Sequence, residues 1–313
     1  MPLRIPDELP ATKILQDENI FCMTDSFAAH QDIRPLRVLL LNLMPKKIET
    51  EIHLMRMLSN SPLQVNIELM HIGEKKSKNT PIEHMESFYK TFDDIKTEKY
   101  DGMIITGAPL GQVPFAEVLF WDELVEIMDW TLQHVTSVMY LCWGVQASMY
   151  HRYGIQKKVL DKKISGVYDH RVIAPLAPVI RGFDDTFDAP HSRFAEVPPE
   201  EIEKNEELEI IAVSDVAGPY IVGRKDGREL FVTGHAEYEP LSLKSEYERD
   251  LDTGMNPPMP ENYFPDDDPT RQPIVTWKSH GNLLFANWLN YYVYQLTPFD
   301  ASLIGSNRYP ASG

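Results

Sequence analysis

Cysteine is scarce in this chain. The 313 residues include two, Cys22 and Cys142. A structural zinc site takes more thiolates or a tight Cys/His spacing, so no metal is expected. A disulfide between such distant positions is not expected in a reducing compartment. At least one thiol is therefore free. Positive charge is also short, with 30 Lys+Arg against 47 Asp+Glu and a formal net charge of -17. That argues against a nucleic-acid partner, whose phosphates need a basic face. A small anionic ligand remains compatible, because a few local cations override net charge. No apolar run reaches the ~18 residues of a membrane span. The opening MPLRIPDELPATKIL lacks the apolar stretch of a secretory signal, so a cytosolic protein is expected. Internal repeats and low-complexity tracts are missing as well.

What is present is a folded composition, 43% hydrophobic and 25% charged. A chain of this length can bury roughly 75% of its unfolded surface, enough for a sizeable core. Arg37 to Leu43 is a continuous apolar run and predicts a strand buried on both faces, closed by Pro45. Ile48, Ile52, Met55 and Leu58 then recur at helical spacing. Val65, Ile67 and Leu69 alternate as a strand does. Tyr100 to Ile105 predicts a third strand and Phe120 to Trp130 a helix. Ser137 to Leu141 predicts a fourth strand, and Gly144 to Tyr153 a helix stopped by Gly154. This alternation predicts a doubly wound, mostly parallel α/β sheet with ligands at its carboxyl edge. Leu208–Val213, Pro219–Val222 and Leu230–Thr233 lie close together and predict antiparallel additions. Pro257 to Pro273 reads as a long loop, Leu283 to Gln295 as a closing helix, and Gly305 to Gly313 as a frayed tail.

Cys142 falls where an apolar strand meets a helix. A tight turn there exposes the side chain above the sheet edge, and the helix presents unpaired N–H groups and its positive end. Both favour a thiolate. The Trp143 N–H is placed to meet an oxyanion. From this segment alone a buried, inert thiol is an equal reading. Cys22 has no such context. A thiolate needs a base, and Thr233-Gly234-His235-Ala236-Glu237-Tyr238 follows a strand. Positions two apart on an extended chain share a face, so Glu237 can hold the His235 ring. His-x-Glu alone reads more readily as a solvated polar pair; beside Cys142 it completes a nucleophile, base and orienting carboxylate.

These residues resemble the class I glutamine amidotransferase-like superfamily, with its strand-end Cys and downstream His-x-Glu on a flavodoxin-like sheet. The chain is more closely similar to the homoserine O-acyltransferases of methionine biosynthesis, specifically the homoserine O-succinyltransferase family, over about residues 1 to 300. The segments that carry this are Met1-Pro2-Leu3-Arg4-Ile5-Pro6, Leu41 through Glu51, Thr106-Gly107-Ala108-Pro109 and Cys142-Trp143-Gly144. They continue with Ala189-Pro190-His191-Ser192-Arg193, Gly234 through Tyr238 and Ser279 through Phe285. Two positions depart. Tyr140 stands where glutaminases place glycine, which weakens a glutamine reading, and Ala236 stands where many members carry Pro or Ser.

The resemblance implies one domain over 1–300, with an N-terminal arm to about 34, an α/β core over 35–298 and a tail from 301 to 313. It implies a Cys142 acyl-thioester formed from an acyl-coenzyme A co-substrate, with no tightly bound cofactor. His235, oriented by Glu237, would exchange the protons, and L-homoserine would accept the acyl group. Lys163, Ser192 and Arg249 match substrate-contacting positions, and the Trp143 and Leu110 amides the oxyanion hole. Gly111, with Ser192, matches the acyl-selecting positions. Glycine at 111 leaves room for a second carboxylate and so favours succinyl-CoA; acetyl-CoA is the alternative, and an amidotransferase-like hydrolase a more distant one. A homodimer is expected from the family. Lys46 and Lys47 lie where coenzyme A phosphates can approach, or else in a solvated loop. His280 is expected to be structural and Asp266-Asp267-Asp268 a solvated loop.

Overall fold

The computed structural model describes residues 3–6, 8–18, 22–23, 34–73, 79–298 and 300–305. The strands are β1 (Leu3–Arg4), β2 (Cys22–Met23), β3 (Leu36–Leu41), β4 (Val65–Met70), β5 (Tyr89–Lys90) and β6 (Tyr100–Ile105). They continue with β7 (Val135–Leu141), β8 (Lys158–Val172), β9 (Thr186–Glu196), β10 (Leu208–Ser214), β11 (Gly218–Arg224) and β12 (Glu229–Val232). All join one 12-stranded sheet in the order β2-β1-β4-β3-β6-β7-β12-β11-β10-β8-β9, with β5 beside β4. From β2 to β12 the neighbours are parallel; from β12 to β9 they are antiparallel.

The central strands are apolar on both faces because helices cover both. On β3, Val38 and Leu40 enter one core, while Leu39 and Leu41 enter the other. The first core is closed by α1 (Pro10–Asp17), α2 (Lys47–Ser59) and α9 (Lys278–Asn287), through Leu15, Leu54, Met55 and Leu284. The second is closed by α5 (Trp121–His134) and α6 (Trp143–Tyr153), through Leu124, Ile127, Val145 and Met149. Short helices α3 (Ile82–Phe88), α4 (Phe92–Ile95) and α7 (Pro199–Glu203) fill connections, and α8 (Ser242–Asp252) follows β12.

The expected doubly wound sheet is present. Boundaries move modestly: α5 runs on to His134, and the predicted closing helix begins at Lys278 and passes into a π-helical stretch, Trp288–Tyr294. The large addition is the β8–β9 pair, 15 and 11 residues long, which sequence reading did not identify. Pro257 to Pro273 is loop apart from short turns, and Glu261 is bridged to Gly166 of β8. The predicted tail beyond residue 305 and the Cys22 side chain lie outside the described residues. No helix among those residues is long and apolar enough to cross a membrane.

Candidate active site

Strand β7 is apolar throughout and ends at Leu141, and the next residue turns sharply. Cys142 has φ +47 and ψ −108 at the N-terminus of α6. For a residue with a Cβ this region carries on the order of 1–3 kcal/mol of strain and persists only where surroundings enforce it. They do so here. The Cys142 N–H donates to Val232 O of β12 at 2.9 Å, so the turn hangs from the neighbouring strand. Helix α6 starts flush against β6: a Cβ on Gly144 would sit 2.9 Å from Ile105 O and 3.0 Å from Thr106 O.

His235 follows that same neighbouring strand. After Val232 the chain turns, and His235 N–H donates to Pro190 O of β9 at 2.8 Å. His235 Nδ1 lies 2.8 Å from Glu237 Oε1, and the ring stacks on Tyr238 with centroids 4.2 Å apart. The remaining ring nitrogen, Nε2, is left for Cys142, whose influence the ring feels. Burial opposes charge on this ring most strongly, but Cys142 and Glu237 together outweigh it. They hold the imidazole well above its ordinary range.

The oxyanion side differs from expectation at one residue. Leu110 N–H donates to Ala108 O at 2.8 Å, so it is spent inside its own turn. Gly107 lies close to Cys142. A Cβ built there would be 3.2 Å from Cys142 Cβ and 3.5 Å from Trp143 N. Gly111 lies against β9, where an added Cβ would meet Ala195 N and Phe194 Cβ at 3.7 Å, an ordinary contact. Packing does not demand glycine there; what it provides is space.

In front of His235 opens a cleft of about 280 Å³, lined among others by Lys46, His53, Gly107, Tyr238, Glu246 and Arg249. Arg249 turns Nε (3.0 Å) and Nη2 (2.7 Å) to Asp250 Oδ1. Lys163 does not line the cleft. Its amine is buried, 2.8 Å from Asp250 Oδ2 and 3.6 Å from Glu246 Oε2. Ser192 Oγ donates to Glu246, and Tyr238 OH donates to the other Glu246 oxygen at 2.6 Å. Lys163 and Ser192 therefore meet the cleft through Glu246 and Asp250. Sequence reasoning missed Glu246, Asp250 and Tyr238. A signal existed for Glu246, which precedes Arg249 by three on α8 and so shares its face.

The two lysines of the first loop separate. Lys46 is exposed at the cleft rim, 3.5 Å from Glu49. Lys47 is buried, donates to Asn42 O at 2.6 Å, and is lowered by burial to about 8. His280 packs edge-on against Phe183 and lies 3.3 Å from Asp184, a structural setting. The acidic run Asp266–Asp268 turns to Arg271 and Thr270. Among the described residues no cluster of His, Cys, Asp and Glu is fit to hold a metal ion. Tyr140 is fully buried beneath the site, stacked on Phe231 and bonded to Glu229 at 3.2 Å.

The chain is similar to known proteins over nearly their full length. A sequence model described as homoserine O-succinyltransferase matches residues 2–299. The chain belongs to the homoserine O-succinyltransferase family. A homoserine O-succinyltransferase of Tolumonas auensis is 58% identical over 300 residues, 96% of this chain and 95% of that one. A homoserine O-acetyltransferase of Acetivibrio thermocellus is 56% identical over 300 residues, 96% of this chain and 98% of that one. Among solved structures, a glutamine amidotransferase of Thermotoga maritima superposes with TM-score 0.54 at 12% identity, covering 84% of this chain and all (100%) of that one. That likeness shows the class I glutamine amidotransferase-like fold. Membership of the homoserine O-succinyltransferase family makes the chain an acyltransferase of methionine biosynthesis.

Proposed function

We propose that this chain transfers the succinyl group of succinyl-CoA to the hydroxyl of L-homoserine, through a thioester on Cys142. The observation that carries the reading is the Cys142, His235 and Glu237 set at the ends of two paired strands, with His235 and Glu237 lining a cleft that offers both a carboxylate and a guanidinium and Cys142 lining a smaller cavity. The Cys142 thiolate attacks the donor carbonyl, and backbone N–H groups at Gly107 and Trp143 meet the developing oxyanion. The C–S bond to coenzyme A breaks, and His235 gives its proton to the departing sulfur. Exchange of one thioester for another is nearly balanced, which suits a thiol nucleophile. The homoserine hydroxyl then loses its proton to His235 and attacks the acyl-enzyme, releasing O-succinyl-L-homoserine and the thiolate.

Homoserine is a zwitterion, and Glu246 and Arg249, which both line the cleft, offer its ammonium and carboxylate opposite charges. Lys163 and Ser192 serve as props of those two residues. Lys46 at the rim is placed to meet a coenzyme A phosphate. The open space at Gly111 favours a succinyl over an acetyl donor. The acetyl reading has one observation behind it, the name of the Acetivibrio relative. Residues 1–300 act as one unit, in the cytosol, and as a homodimer by family expectation.

Mass spectrometry after brief exposure to succinyl-CoA or acetyl-CoA, without homoserine, tests the proposal. A succinyl mass on the Cys142 peptide is expected, absent in Cys142→Ala. Faster acetylation would overturn the donor. Full transfer by Cys142→Ala would overturn the covalent route.

A further inference from the structure

Arg193 on β9 is 6% exposed, yet no carboxylate among the described residues forms an ion pair with it. Its Nη1 donates to His191 Nδ1 and its Nη2 to Ala217 O, while Nε is buried without a partner. Buried charges in proteins are almost always paired, and buried N–H groups almost always bonded. Burial pushes this guanidinium down, but arginine keeps its proton. The nearest acid on its strand, Glu196, faces Lys158 at 3.4 Å. A cation held this way is short of an anion.

Its position says which anion. Arg193 lines a small second cavity with Cys142, Gln146, Ala195, Glu196 and Thr233, and none of that lining belongs to the main cleft. The two residues after Arg193 are those that face Gly111. The guanidinium and the Cys142 sulfur feel one another's charge. In a succinyl group the free carboxylate lies about 4 Å from the carbonyl carbon, three C–C bonds away. Its cation must therefore sit close to the nucleophile, and Arg249 is assigned above to the homoserine carboxylate.

The guanidinium is also aimed. Arginine only donates, so His191 Nδ1 must accept, and His191 carries its proton on Nε2. That proton is given to His170 Nε2 at 2.9 Å, which places the His170 proton on Nδ1. Both rings are fully buried and stack 5.0 Å apart. Burial, with Arg193, keeps both neutral, His170 at about 4. Two imidazoles locked in one tautomer each make a rigid prop.

We propose that Arg193 receives the free carboxylate of the donor acyl group on Cys142, and that His191 and His170 are the positioning residues that aim it. This rests on the reading of Cys142 as nucleophile and succinyl-CoA as donor. An acetyl group has no such carboxylate, so the residue acts on donor choice.

The test is kcat/KM for succinyl-CoA and for acetyl-CoA, by release of coenzyme A, in wild type, Arg193→Gln, Arg193→Lys and His191→Leu. The expected result is a fall of at least tenfold in the succinyl-to-acetyl ratio for Arg193→Gln. Arg193→Lys should be intermediate, and His191→Leu should shift the same way by less. A ratio within twofold of wild type overturns the proposal, including an equal loss with both donors, which would assign Arg193 to the thiolate or to folding. Circular dichroism reports folding. If Arg193→Gln does not fold, the other two variants decide by the same criterion. A wild type that prefers acetyl-CoA refutes the donor reading before any variant is compared, whereas an unchanged ratio on a succinyl-preferring wild type refutes this inference alone.

Discussion

Replacing Glu237 with Gln keeps the shape of the His235 contact and removes its charge. The side-chain oxygen can still accept from Nδ1 at the 2.8 Å seen in the structure. What is lost is a buried, charge-assisted hydrogen bond, about 1.5–3 kcal/mol for such contacts. At about 1.4 kcal/mol per decade, acylation should slow by roughly ten- to a hundredfold. The imidazolium is held by the Cys142 thiolate and Glu237 against burial, so the variant ring gives up its proton more easily. Cys142 should therefore be alkylated more slowly at neutral pH. The sign for stability follows. A ring whose folded value lies above its unfolded value of about 6.5 contributes fully below that pH. The contribution is lost as pH rises through the folded value. The stability gap between wild type and Glu237→Gln should be widest near pH 5–6.5 and narrow on the alkaline side. Single-turnover acylation, alkylation and urea unfolding measure the three effects. A folded variant that acylates at the wild-type rate with an unchanged stability gap would refute the coupling.

Gly144→Ala drives a methyl into two backbone oxygens that cannot retreat. Overpacking of this kind is typically about 1–3 kcal/mol, read as a lower unfolding temperature; an unchanged temperature would mean the α6–β6 approach is looser than it looks. Glu246→Gln should raise KM for homoserine about tenfold or more and spare acylation by succinyl-CoA, since only the second step uses the ammonium contact. Equal loss in both steps would point to a disordered cleft. Lys163→Met leaves Asp250 buried with Arg249 as its remaining ion-pair partner. A loss on the order of 3 kcal/mol is expected by denaturant unfolding, with a weaker grip on homoserine. Unchanged stability with raised KM would instead make Lys163 a direct contact.

The sheet core was readable because burial on both faces leaves continuous apolar runs such as Tyr100–Ile105, which is strand β6. The position of Cys142 was readable because a strand-to-helix junction is a local signal. The long β8–β9 pair was not readable. Its segment Lys158–Val172 mixes exposed and buried positions and carries Lys, Asp and His, so no period stands out. That one omission hid Arg193, His191 and the route by which Lys163 and Ser192 reach the cleft. That the Leu110 amide is engaged within its own turn was not readable, because an i−2 turn bond is invisible in residue identity. Family resemblance located Lys163, but only the side-chain partners reveal it as a strut beneath the cleft rather than part of its wall.

Strands β7 and β12 lie side by side, Leu141 opposite Val232. The spacing of sulfur and imidazole is thus set by one rung of a hydrogen-bonded ladder, not by the fit of two bodies that must meet. Nothing has to swing shut before the reacting pair is aligned.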